Sequence, residues 1–84
     1  MSTNKPTMQW RVANSTELGK AVARVRRQAG LTQQQLANQT RVPRTYLAKM
    51  ESGLSTEQVK RTFALLRDLG YELLVIPKED RVDK

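Results

Sequence analysis

With 84 residues the chain has room for one domain, and a core that small leaves a monomer only marginally stable. It contains neither cysteine nor histidine, which excludes disulfide bonds, thiolate metal sites and histidine-based acid–base or zinc chemistry. Fifteen Lys and Arg against eight Asp and Glu give a net charge of +7, which suits a polyanionic partner but fits a merely soluble basic domain as well.

The longest apolar run, Leu73–Ile76, is far short of the ~18 residues that a membrane span needs. Met1–Thr7 is polar and lacks the apolar stretch of a secretory signal, so the expectation is a cytoplasmic protein with a disordered tail over 1–7. Residues 8–77 are expected to form the folded domain, and 78–84 a charged tail.

In chain order, Met8–Val12 alternates apolar and polar residues, which fits a short strand or an extended arm. Asn14-Ser15-Thr16-Glu17 reads as a capping box, and Leu18, Ala21, Val22, Val25 and Ala29 follow at helical spacing. Gly30 closes this first helix, expected over about 15–29. Thr32-Gln33-Gln34-Gln35 is a second capping box, opening a short helix to about Gln39 with Leu36 and Ala37 inward. After a turn at Thr40-Arg41-Val42, Pro43 suits the first turn of a third helix, about 43–51, with Leu47 and Met50 inward. Ser55-Thr56-Glu57-Gln58 reads as a third capping box. The fourth helix has an apolar stripe of Val59, Phe63, Leu66 and Leu69, with Leu65 beside it, and ends at Gly70. Tyr71–Ile76 is rich in strand formers and is stopped by Pro77.

Two short helices joined by a tight turn, Thr32–Gln39 and Pro43–Glu51, match the helix-turn-helix plan, in which the second helix enters the DNA major groove. Leu36, Ala37, Val42, Leu47 and Met50 can pack the pair together. Arg44, Thr45, Ala48 and Lys49 then remain on the outer face. Arg44 suits a bidentate bond to guanine, Thr45 a base or a thymine methyl, and Lys49 guanine or a phosphate. Gln33, at the start of the second helix, can hold a phosphate together with the backbone N–H groups there. Lys20, Arg24, Arg27 and Arg41 are candidates for flanking phosphates. Taken one at a time, each of these side chains reads as an ordinary solvated surface residue. Their spacing between two capped helices is what favours DNA.

The stretch Leu31-Thr32-Gln33-Gln34-Gln35-Leu36-Ala37, Val42 and Tyr46-Leu47-Ala48-Lys49-Met50-Glu51-Ser52-Gly53 resembles the Xre/Cro family of helix-turn-helix proteins. Leu65–Val75 resembles the end of HipB-like antitoxins, and the Met8–Val12 pattern also precedes the first helix in similar antitoxins. The resemblance covers roughly 8–77. It implies a mainly α fold: a four-to-five-helix, lambda-repressor-like DNA-binding domain with a C-terminal strand, and an N-terminal one, pairing across a homodimer. It further implies repression of the protein's own operon at a palindromic operator, and binding to a toxin kinase of the HipA type. Base contacts carry over to Arg44, Thr45 and Lys49, and phosphate contacts to Gln33 and Ser52. Two positions depart from the family. Arg41 replaces the usual turn glycine, and a left-handed conformation there costs an arginine about 1 kcal/mol or more. Pro43 replaces a serine cap and leaves Val42 as a poor N-cap.

The Tyr71–Ile76 strand (Tyr71, Leu73, Leu74, Val75, Ile76) needs partners for its backbone. It can pair with its symmetry mate across a dimer, which is the reading favoured here, with Met8–Val12 of its own chain, or with both at once in one small sheet across the dimer axis. A twofold dimer implies half-sites about 34–36 Å apart. A stand-alone Xre-type repressor without a toxin, and a toxin-binding module that binds no DNA, are the alternatives. No residue set suggests an enzyme, a metal site or a cofactor. RNA binding would call for more exposed aromatic side chains than Trp10, Tyr46, Phe63 and Tyr71 provide. Trp10 is expected to pack against the strand, although an exposed Trp there could anchor a partner.

Overall fold

The computed structural model describes residues 9–78. The tail expected over 1–7, Met8 of the first strand and residues 79–84 of the charged tail lie outside the described residues. Six elements follow one another: β1 (Trp10–Val12), α1 (Ser15–Gln28), α2 (Gln33–Thr40), α3 (Arg44–Glu51), α4 (Glu57–Leu69) and β2 (Leu73–Val75). The fold is mainly α, with four helices and one two-stranded antiparallel sheet.

Side-chain caps set most of the helix starts. Asn14 Oδ1 accepts from the Glu17 N–H at 2.8 Å, while the Glu17 carboxylate reaches back one residue further than expected, to the Ala13 N–H. Thr32 and Gln35 form a complete reciprocal box. The third box does not form: Thr56, not Ser55, accepts from the Val59 N–H and begins α4 as a single cap, because valine at the third helical position has no side-chain acceptor to reach back. At the far end of α1, Gly30 is left-handed (φ +76°), and the N–H groups of Gly30 and Leu31 bond back to the carbonyls of Arg27 and Arg26. Gly70 closes α4 through the same pair of bonds.

The core is small, as the chain length requires. Val12, Ala21 and Phe63 are its buried centre, with Trp10, Leu18, Val59 and Val75 packed against it. Trp10 therefore serves the core. Three inward assignments do not hold. Val25 of α1 and Ala29, its C-cap, are exposed, and so is Leu69 of α4, at 68%. Leu65 stands out beside it at 66%. Val25, Ala29 and Leu69 lie on the apolar side of amphipathic helices, but so small a domain has no further layer to cover them.

The C-terminal strand takes the partner expected within its own chain. β2 is antiparallel to β1 of the same chain, with Trp10 opposite Val75, Arg11 opposite Leu74 and Val12 opposite Leu73. The strand thus has a partner within the protomer, because the segment before α1 returns alongside it. It is also shorter than expected: Tyr71 and Ile76 fall outside it. Val12 and Val75 of this sheet contribute to the core, while on the opposite face Arg11 pairs with Glu72 and Leu74 stays half exposed.

Candidate nucleic-acid interface

The turn between α2 and α3 is made by Arg41, the one described non-glycine residue with positive φ (+63°). Its N–H bonds to the Ala37 carbonyl at 2.8 Å, a left-handed helix stop that glycine usually fills. The Thr40 hydroxyl donates to the Leu36 carbonyl and accepts from the Val42 N–H, which stiffens the same turn. Pro43 is the N-cap of α3 rather than its first helical residue, with extended backbone and no side-chain cap. Its own carbonyl accepts from the Leu47 N–H. Proline supplies a fixed φ but no capping oxygen, so the N-terminus of α3 keeps uncapped N–H groups.

Ala37 and Leu47 are buried at the α2–α3 contact, with Leu36, Val42 and Met50 half-buried. That packing leaves Arg44, Thr45 and Lys49 of α3 exposed, together with Arg41 in the turn and Ser52 at the far end. Thr45 and Lys49 are four residues apart on one helix face. Among the described residues, Arg41, Arg44 and Lys49 have no ion-pair partner and no side-chain hydrogen bond. The Ser52 hydroxyl donates to the Lys49 carbonyl at 2.7 Å, so it could only accept from, or share its proton with, another group.

Two interior features hold α3 in place, and neither is evident from motif reading. At Gly19, in the middle of α1, α3 approaches so closely that a Cβ would collide with the Met50 carbonyl oxygen. The second is a partly buried ion pair. Arg26 of α1 donates to both carboxylate oxygens of Glu51, from Nε at 2.7 Å and from Nη2 at 2.9 Å, with both side chains nearly covered. Its remaining nitrogen donates to the Leu31 carbonyl at 2.8 Å. Gln33 Nε2 donates to Glu51 at 2.9 Å. One carboxylate thus ties the end of α1, the start of α2 and the end of α3 together. The hydrogen bonds from Arg26 hold the Glu51 carboxyl below the ordinary glutamate range; burial opposes this and Gln33 assists it. Arg26 is correspondingly raised, chiefly by Glu51.

Gln33 therefore commits one proton of its amide nitrogen to Glu51, which leaves the second proton as its remaining donor. A structural role for Glu51 agrees with its place at the end of α3. Arg26 went unassigned from the sequence, although it lies three and four residues after Ala23 and Val22 and so shares their inward face. Lys20 and Arg24 share a shallow depression with Trp10 and Arg11 beside β1, whereas α3 packs on the Gly19 side of α1.

Two short packed helices joined at a left-handed residue, the second with an exposed basic face, define a helix-turn-helix DNA-binding unit. The family model described as a helix-turn-helix domain matches residues 17–69, more than half of the chain, and the chain belongs to that family. No curated protein and no solved structure matched it. Among the described residues, no helix is long and apolar enough to cross a membrane.

Proposed function

We propose that this chain is a transcriptional repressor that reads a palindromic operator as a homodimer, and that it is the antitoxin of a HipA-like toxin–antitoxin operon which it also represses. The observation that carries the DNA reading is the exposed face of α3. Arg44, Thr45 and Lys49 stand on a helix braced from behind by the Arg26–Glu51 pair, and neither cation is engaged within the described chain. In this reading Arg44 and Lys49 read guanine edges, Thr45 contacts a base or a thymine methyl, and Arg41 holds a phosphate; Gln33 holds another with the amide proton that Glu51 leaves free, and Ser52 does so by turning its hydroxyl from the Lys49 carbonyl.

Support for a homodimer comes from the apolar residues left uncovered at one end of the sequence. Leu65, Leu69 and Tyr71 are about two-thirds exposed, and Leu74 and Ile76 about half. An apolar group of that size on so small a domain favours a partner. The free edge of β2 and this surface are the natural seam for a second copy, which gives the two half-sites of a palindrome. The antitoxin assignment rests on the likeness of Leu65–Val75 to HipB-like proteins.

Footprinting on the DNA upstream of the protein's own gene, with wild type and Arg44→Ala compared, tests the repressor. Protection of two half-sites that loses base preference in the variant is the expected result. Absence of protection at low salt overturns it. Co-purification with the product of a neighbouring kinase-like gene tests the antitoxin role; without such a gene the protein is a stand-alone repressor.

A further inference from the structure

A cleft of about 190 Å³ opens beneath α3, between the start of α1, the α3–α4 connection and the start of α4. Its walls are apolar: Leu18, Met50, Leu54, Val59 and the ring of Tyr46. Its polar lining is the Lys49 side chain together with Ser15, Ser55 and Thr56. Within the described chain no carboxylate pairs with Lys49, so the one formal charge in the lining is an uncompensated cation. Helices α1 and α4 both begin here, but a glutamate in the first turn of each, Glu17 and Glu57, offsets its positive end, so the sign of the cleft rests on Lys49. A cavity of roughly 150 Å³ accommodates a benzene ring. The cleft is therefore large enough for one ring with a short substituent.

We infer that this cleft binds a monocyclic aromatic carboxylate, with the ring against Leu18, Met50 and Val59 and the carboxylate on Lys49, and that binding competes with DNA. The pairing of an apolar slot with a single cation selects an amphipathic anion over a neutral hydrocarbon or an inorganic ion. Competition rests on the proposed function, because a carboxylate on Lys49 engages the ammonium that the DNA reading assigns to a base. The site itself does not depend on that reading.

The test is a titration of the full 84-residue chain with phenylacetate, and with neutral phenylacetamide, followed by amide and methyl NMR in the absence of DNA. Saturable shifts confined to Leu18, Tyr46, Lys49, Met50, Leu54 and Val59 are expected, with Kd near or below ~1 mM. Lys49→Met, at an exposed position, should weaken phenylacetate about tenfold and leave phenylacetamide unchanged. A second variant, Leu54→Trp at the exposed rim, should obstruct both ligands. Absence of cleft shifts, shifts elsewhere, or equal affinity for acid and amide overturns the site. Unchanged DNA affinity at saturating phenylacetate overturns the competition. Ligand binding by a chain that binds no DNA would refute the repressor reading and leave the site standing.

Discussion

Glu51, the last residue of α3, is gripped by Arg26 of α1 through two parallel hydrogen bonds of 2.7 and 2.9 Å. The carboxylate stands at the negative end of its own helix, where it is unfavourable unless a cation faces it. Arg26 is that cation, and it reaches Glu51 from the helix against which α3 packs. The angle of the exposed α3 face is thus set by a contact on the side away from solvent.

Replacing Glu51 by Gln should destabilise the domain by about 3 kcal/mol, because it leaves the Arg26 charge covered and unpaired. The pH dependence has a definite sign. Since folding holds the Glu51 carboxyl below its ordinary value, its contribution is complete above about pH 4.3 and is lost as pH falls through the lower folded value. Urea unfolding as a function of pH should show an acid limb in the wild type that is flatter in Glu51→Gln.

Gly19→Ala should cost about 2 kcal/mol or more, although alanine is the better helix former. The added methyl meets the Met50 backbone, and relief requires α3 to move. Gly30→Ala, where a Cβ meets nothing within 4 Å, should cost only the left-handed backbone penalty of about 1 kcal/mol. Thermal unfolding of the two variants side by side separates contact from conformation.

Arg41→Gly should make the protein more stable and a weaker DNA binder. Relief of the left-handed strain, about 1–2 kcal/mol, outweighs the extra backbone entropy of glycine, about 0.5–1 kcal/mol. If Arg41 holds a phosphate, its loss should reduce the salt dependence of DNA affinity by about one unit of slope and leave sequence preference intact. Arg44→Ala should instead cost about 1–3 kcal/mol on the preferred site and relax the preference at one base pair. Equilibrium binding at several salt concentrations distinguishes the two.

Leu69→Glu should convert a dimer to a monomer without loss of helix content, since Leu69 is 68% exposed in the protomer. Sedimentation equilibrium together with far-UV circular dichroism checks both parts. A wild type that sediments as a monomer would remove the dimer from the proposal.

Local chemistry made four helices and the helix-turn-helix legible from the residues alone. Caps at Asn14 and Thr32, the stops at Gly30 and Gly70 and the apolar period all act within a turn or two of the chain, so they can be read without knowing the fold. The exposed face of α3 follows from the same periodicity. Tertiary structure alone decided what depends on residues far apart in sequence. It chose β1 as the partner of β2, brought Arg26 to Glu51 across 25 positions, and pressed α3 onto Gly19. It also decided which apolar residues stay uncovered: a stripe records that a helix has an apolar side, but only the packed neighbours determine how much of that side is covered, and here they left Val25, Leu65 and Leu69 facing outward.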